Sequence, residues 1–168
     1  MERIGYRYVT MDFDDSHNPT IVDDWNSFDV SSLRSTYDLT CAFQVLEHFP
    51  WEDLGRHMTR LAQLSRKYVF VSLPYSCTGH TVTRTVHRSQ CDTTVETREE
   101  YVPTNLPQRR YRDEFIREFP WAVHYWEIGR LGTSLADVLA VVSDCGLSVL
   151  RQFHSPNPYH YFILAAKR

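Results

Sequence analysis

Tyr37-Asp38-Leu39-Thr40-Cys41-Ala42-Phe43-Gln44-Val45-Leu46-Glu47-His48-Phe49-Pro50 is the stretch whose reading decides the fold. Leu39 to Phe43 is an apolar run of strand length, with Asp38 at its entrance. Gln44, Glu47 and His48 then bring three polar side chains together where the strand stops. Ligands of open α/β sheets bind outside the carboxyl ends of the strands, so chemistry is expected at this junction.

Downstream of Pro50, which suits a helix start, Trp51, Leu54, Met58, Leu61 and Leu64 recur at intervals of three and four. That spacing predicts an amphipathic helix, with Glu52 and Asp53 favoured in its positive first turn. Lys67 to Leu73 reads as a buried strand ended by Pro74. Upstream, Arg7 to Phe13 and Thr20 to Val22 read as strands, each followed by acidic residues. Asn26 to Thr36 reads as a loop anchored by Phe28, Val30 and Leu33. Strands alternating with a helix imply crossovers and a mainly parallel sheet.

Residues 76–123 break this rhythm and are expected to form a cap over the sheet's carboxyl edge. Thr81 to Arg88 and Thr93 to Thr97 have the polar alternation of an exposed hairpin, and Phe115, Ile116 and Phe119 mark a short amphipathic segment. The α/β pattern then resumes. Thr133 or Ser134 caps a helix striped by Leu135, Val138, Leu139 and Val142, and Gly146 suits its end. Leu147 to Phe153 and Tyr161 to Ala166, joined by a tight Pro-containing return, predict an antiparallel closing pair.

With 168 residues, 42% hydrophobic and 23% charged, the chain is expected to form a single soluble domain spanning 1–168. The net charge of −3 gives no general attraction to nucleic acid or anionic membrane. No apolar run approaches the ~20 residues of a membrane span, and Met1-Glu2-Arg3-Ile4-Gly5-Tyr6 lacks the apolar core of a leader. A cytoplasmic setting follows, with cysteines 41, 77, 91 and 145 as reduced thiols. Cys41 and Cys145 are expected to be buried small hydrophobes.

The run "YDLTCAFQVLEHFPWEDL" followed by "KYVFVSLPY" resembles the fourth and fifth strands of class I S-adenosylmethionine-dependent methyltransferases. "HYWEIG" at 124–129 and "NPYHYFIL" at 157–164 are similar to one branch of that family. The resemblance implies an α/β, Rossmann-like, doubly wound and mostly parallel sheet with an antiparallel C-terminal pair, covering the family fold from its second strand onward. It implies S-adenosylmethionine as cofactor and a small molecule as methyl acceptor. By position it assigns Asp12, with Phe13 beside it, to the cofactor's ribose hydroxyls. Asp24 and Trp25 fall to the adenine, and Ala42, Phe43 and Gln44 to the methionine moiety. Without the resemblance, Asp12 reads as the start of an Asx turn, and Asp24 and Trp25 as a loop acid and a core aromatic.

The family's first strand and glycine-rich turn have no counterpart, because Gly5 is the one early glycine. That turn admits a close backbone approach to the cofactor and opens a helix. The expectation is a polypeptide that continues upstream of Met1, the alternative being a non-catalytic relative that serves as a binding module.

Methyl transfer asks little of side chains, since the methyl group arrives activated and the protein aligns the acceptor. His48, His124 and His80 are the candidate bases. Gln44-x-x-Glu47-His48 resembles the Glu-x-x-Glu-His with which some methyltransferases hold a divalent metal, but glutamine is a neutral, weaker ligand. The simpler expectation is that Glu47 and His48 complete the strand-to-helix turn and hold no metal. Cys77-x-x-His80 with His87-x-x-x-Cys91 has plausible zinc spacing, which would make the chain a zinc-stabilised binding domain. No phosphate-binding loop, Gly-x-Ser-x-Gly elbow or His-Glu-x-x-His is present.

Overall fold

In a computed structural model, which describes residues 5, 7–87 and 93–168, the chain separates into two compact units, Met1–Arg34 and Ser35–Arg168. The first is built on two short parallel strands, β1 (Met11–Asp12) and β2 (Ile21–Val22), paired Met11 to Ile21 and Asp12 to Val22. β1 is much shorter than the run Arg7 to Phe13 predicts. Its partner is confined between Pro19 and Asp23, so the ladder ends after two residues. Among the described residues, an Asx turn follows each of these strands. The Asp14 carboxylate accepts from Ser16 N–H at 2.9 Å and caps a 3-10 turn over Asp15–His17. The Asp24 carboxylate accepts from Asn26 N–H at 2.9 Å.

The second unit is a mixed α/β layer. Its strands are β3 (Tyr37–Phe43), β4 (Ser65–Pro74), β5 (Cys77–His87), β6 (Thr93–Pro103), β7 (Leu147–His154) and β8 (His160–Lys167). Its helices are α1 (Leu54–Leu64), α2 (Asp113–Glu118) and α3 (Leu135–Asp144). The principal sheet has the order β3-β4-β8-β7. β3 and β4 are parallel, and β8 runs antiparallel to both β4 and β7. β3, β4 and β7 therefore share one direction, and β8 is the reversed member of the expected closing pair.

Period-two burial sorts the sheet into faces. Thr40, Ala42, Val69, Val71, Leu73, Tyr161, Ile163 and Ala165 turn to one face, which is buried. α1 covers it with Leu54, Met58 and Leu61, and α3 with Val138 and Val142. The Thr40 hydroxyl donates to the Leu61 carbonyl at 3.0 Å, fixing α1 over β3. α1 also buries His57, whose ring lies 4.2 Å from that of Phe49; burial lowers its pKa to about 4, so it packs as a neutral ring. Ser134 caps α3 through a capping box with Asp137.

Leu39, Cys41, Phe43, Tyr68, Phe70, Phe153 and Phe162 fall on the opposite face. Phe70 meets Phe43 edge-on at 5.2 Å, and Phe153 stacks on Phe162 at 5.3 Å. Cys41 is exposed there, contrary to the buried position its apolar neighbours suggest. Strand alternation places it with Leu39 and Phe43, away from α1. Cys145 is half-buried, its thiol donating to the Gly55 carbonyl at 3.3 Å.

β5 and β6 form a separate antiparallel ribbon, longer at both ends than the alternation at 81–97 suggests. Its far end leads to the segment Asn105–Gly132, which returns to the sheet by extending β4. Ile128 N–H donates to the Pro74 carbonyl at 2.9 Å, and Ser76 N–H donates to the Ile128 carbonyl at 2.8 Å. Gly129 makes this return possible. Its φ is +82°, and a Cβ there would stand 2.5 Å from the Ser76 carbonyl oxygen. Gly129→Ala is therefore expected to cost about 2 to 3 kcal/mol, combining left-handed strain with a backbone clash. Urea unfolding measures it; a loss below about 0.5 kcal/mol, the range of a neutral surface change, would show that the return tolerates a side chain.

Candidate functional site

The parallel strands β3 and β4 end side by side, and there the chain turns. Gln44 leaves β3 with φ +53°, uncommon for a non-glycine residue, while its N–H still donates to the Ser72 carbonyl at 3.1 Å. The Gln44 side-chain amide satisfies both its ends locally. Oriented as its neighbours require, its oxygen accepts from Ser72 Oγ at 3.3 Å and Leu73 N–H at 3.2 Å, and its nitrogen donates to Glu47 Oε1 at 3.3 Å. A 3-10 turn over Leu46–His48 follows and buries Glu47 completely.

Glu47 is the unusual member. Its Oε2 is enclosed without a hydrogen-bond partner. Burial raises its pKa to about 7, and the negative charge of Glu127 acts in the same direction. Next to it, His48 Nδ1 lies 2.8 Å from the Val123 carbonyl oxygen, the geometry of a ring N–H donating to that carbonyl. Burial lowers the His48 pKa, against the opposing pull of the Val123 carbonyl.

The returning segment supplies the other half. Tyr125 N–H donates to the Glu47 carbonyl at 2.8 Å, and the Trp126 indole N–H donates to the Phe49 carbonyl at 3.1 Å. These bonds lay Val123–Trp126 along the Leu46–Phe49 turn and set the His124 ring against His48, 5.1 Å between centroids and nearly perpendicular. Ligand-capable atoms of Glu47, His48 and His124 all lie within 4.8 Å of one another.

Behind His124 sits a buried ion cluster centred on Glu127, whose side chain is 1% exposed. Arg109 Nε donates to its Oε1 at 2.6 Å, and Arg130 Nε to its Oε2 at 2.6 Å. The Tyr159 hydroxyl donates to Oε1 at 3.2 Å and stands 3.0 Å from His124 Nδ1. The Gln108 side chain accepts from Glu127 N–H at 3.0 Å. Burial alone would raise the Glu127 pKa, but the hydrogen bonds from His124, Arg130 and Arg109 outweigh it and hold it down at about 2. Tyr159, buried beside that carboxylate, keeps its proton, with desolvation and Glu127 raising its pKa beyond the usual phenol range.

Of the sequence-assigned residues, the structure brings His48 and His124 together with Gln44 and Glu47. Ala42 faces α1 and is buried, whereas Phe43 lies on the opposite face, 47% exposed. Asp12 takes the Asx role. Its Oδ1 accepts from Asp14 N–H at 3.0 Å, and its Oδ2 lies 3.1 Å from His17 Nδ1. The Asp14 N–H, then His17, lower its pKa, and Asp12 raises that of His17 in turn. A carboxylate offers about four lone-pair sites, and Asp14 N–H, His17 and the Phe13 backbone N–H all draw on those of Asp12. Phe13 is exposed, and Asp24 and Trp25 lie in the turn after β2.

The zinc set does not converge. Cys77 and His87 occupy opposite ends of β5, roughly 33 Å apart at the rise of a strand. Cys77 and His80 are three positions apart, which places them on opposite faces, and His80 is paired with Glu100 at 3.2 Å. Cys91 lies outside the described residues. Glu127 and Tyr159 escaped the sequence reading as site residues, although both fall within the motifs "HYWEIG" and "NPYHYFIL" that carry the resemblance.

No protein-family model matches the chain, and no curated protein matches it. Solved structures do. Magnesium protoporphyrin IX methyltransferase from Synechocystis PCC 6803 with bound S-adenosylhomocysteine is 14% identical at a TM-score of 0.44, over 84% of this chain and 49% of that one. The Burkholderia thailandensis 1,6-didemethyltoxoflavin-N1-methyltransferase is 12% identical at 0.47, over 88% and 49%. A Mesorhizobium loti S-adenosylmethionine-dependent methyltransferase is 10% identical at 0.44, over 83% and 68%. The chain thus spans about half the length of the first two. Among the described residues, no helix is long and apolar enough to cross a membrane.

The Glu127 cluster sets a pH dependence. Its folded-state pKa lies near 2, below the ordinary 4.5, so its stabilisation is complete above about pH 4.5 and is lost as pH falls towards 2. The full effect is about 3 kcal/mol. Glu127→Gln should lower stability at pH 7 by roughly 2 to 4 kcal/mol by stranding the largely buried Arg130 guanidinium and unpairing the half-exposed Arg109, and should flatten the acid slope. Urea unfolding at intervals from pH 5 to 3 tests this; equal slopes in the two proteins would refute it.

Proposed function

We propose that this chain carries the catalytic part of a class I S-adenosylmethionine-dependent methyltransferase acting on a small molecule. The observation that carries the reading is the polar turn Gln44–His48 at the carboxyl ends of two adjacent parallel strands, the edge where open α/β sheets bind ligands. The strand order β3-β4-β8-β7 with β8 reversed supports it, because the resemblance in "YDLTCAFQVLEH" implies parallel strands closed by an antiparallel pair.

In this reading Phe43 and Gln44 lie along the methionine moiety, with Ala42 contributing its backbone, since its side chain is turned to α1. The exposed ring of Phe43 offers an apolar surface, and the left-handed turn at Gln44 opens the strand end to it. Asp12 and Phe13 are proposed for the ribose, and Asp24 and Trp25 for the adenine. The cofactor supplies a methyl group on a positively charged sulfur. The acceptor's lone pair forms the new bond to the methyl carbon, the carbon–sulfur bond breaks, and its electron pair stays on sulfur. Where the acceptor sheds a proton, His48 or His124 is placed to receive it on Nε2, since the Nδ1 of each ring is engaged by protein oxygen.

Calorimetric titration with S-adenosylhomocysteine tests the proposal. Saturable binding is expected, weakened at least tenfold by Asp12→Ala, which removes two acceptors for the ribose diol. Absence of binding by a folded chain would favour the alternative of a non-catalytic binding module.

A further inference from the structure

We propose that Glu47, His48 and His124 form a mononuclear site for a divalent first-row transition-metal ion, with zinc the representative case. The site does not rest on the methyl-transfer reading; with an ion bound, both Nε2 atoms are ligands and neither ring serves as a base. Two imidazole nitrogens and one carboxylate oxygen form the donor set that such ions take, with a further position left open.

The geometry supports this at three levels. First, the ligand atoms lie within 4.8 Å of one another, so an ion at their centre stands at most about 2.8 Å from each. Bonds of about 2.0–2.2 Å then need side-chain adjustments of less than about 1 Å. Second, both rings are already held in the orientation a ligand needs. Val123 O engages His48 Nδ1 at 2.8 Å, and Tyr159 Oη engages His124 Nδ1 at 3.0 Å. Each arrangement leaves Nε2 as the metal-competent nitrogen. Tyr159 passes its own proton towards Glu127, so His124 has the carboxylate-backed support typical of metal-binding histidines.

Third, Glu47 needs a partner that the surrounding protein withholds. It is fully buried, Gln44 serves one oxygen, and Oε2 has no hydrogen-bond partner. A buried, unserved carboxylate oxygen is costly unless a proton or cation meets it. The atoms nearest for a shared ion are the two imidazole nitrogens, which a metal converts from neighbours into co-ligands. Tyr125 N–H, bonded to the Glu47 carbonyl at 2.8 Å, holds the two ligand-bearing segments together before any ion arrives. His124 is 21% exposed, which gives an ion an entry path and a side open to water or to an oxygen of a bound molecule.

The experiment titrates the complete, tag-free and chelator-stripped chain with Co²⁺, followed by its visible d–d absorption, and then displaces it with Zn²⁺. One ion per chain is expected, with a rise in melting temperature on zinc addition. His124→Ala and Glu47→Gln should each weaken binding by about 100-fold, and Tyr159→Phe, which keeps the ring but removes the outer bond, by about tenfold. His80→Ala, on the exposed ribbon, should leave it unchanged. A folded wild-type chain that binds neither ion below millimolar concentration would overturn the proposal. So would unaltered affinity in a folded His124→Ala or Tyr159→Phe variant, or a loss in His80→Ala.

Discussion

One buried carboxylate, Glu127, holds the second unit's site together. It collects Arg109 from the segment after the ribbon, Arg130 from the turn before α3, and Tyr159 from the turn before β8. Its own backbone is fixed by Gln108. Burying a charge is unfavourable unless every oxygen is served, so the cluster is stable only when these segments meet in one arrangement. His124, three residues earlier, is positioned as a consequence: its Nδ1 sees Tyr159 at 3.0 Å and Glu127 at 3.4 Å. The electrostatics that fix the connection between ribbon and sheet also decide which nitrogen of His124 faces the site.

Glu47 and Glu127 show how environment divides two buried carboxylates. Both are about equally enclosed, at 0% and 1% exposure. Two arginines, a tyrosine and a histidine attend Glu127, and its pKa falls to about 2. Glu47 has the Gln44 amide, its own backbone N–H and nearby His124, which do not offset burial, and its pKa rises to about 7. A pair of titratable groups pushed in opposite directions marks a functional locality more than a structural one. Glu127 is the fixed anion that organises the scaffold, and Glu47, with a pKa of about 7, is the group whose charge its surroundings leave unfixed.

Much of this was legible in the sequence where a single periodicity governed a segment. β3, α1, β4, α3 and the β7–β8 pair fall close to their predicted places because strand alternation, helix stripe and capping residues agree within each window. Legibility fails where the deciding contact is distant. Cys41 reads as buried from its neighbours, but only the position of α1 determines which face of β3 is covered. The zinc spacing is plausible in one dimension, but Cys77 and His87 stand at opposite ends of one extended strand. Gln44, Glu47 and His48 were visible as a polar strand end, whereas the role of His124 depends on a hydrogen bond between Tyr125 and Glu47, 78 positions apart in the chain.

Unfavourable features concentrate at one end of the sheet. Gln44 has a left-handed backbone, Glu47 an unserved buried oxygen, and His48 a depressed pKa, all within five consecutive residues. The opposite end of β3 also has a left-handed residue, Ser35 with φ +51°, but the charge there is served: Asp38 is exposed and pairs with Arg66 and Lys67. A turn needing only to join a strand to a helix could use glycine at position 44 and an apolar residue at 47, relieving both penalties. Its neighbours instead maintain them, through Ser72 on one side and the Val123–Tyr125 backbone on the other. Strain sustained by packing on several sides is what a binding position requires, and it supports the proposed ligand position at the carboxyl edge of β3.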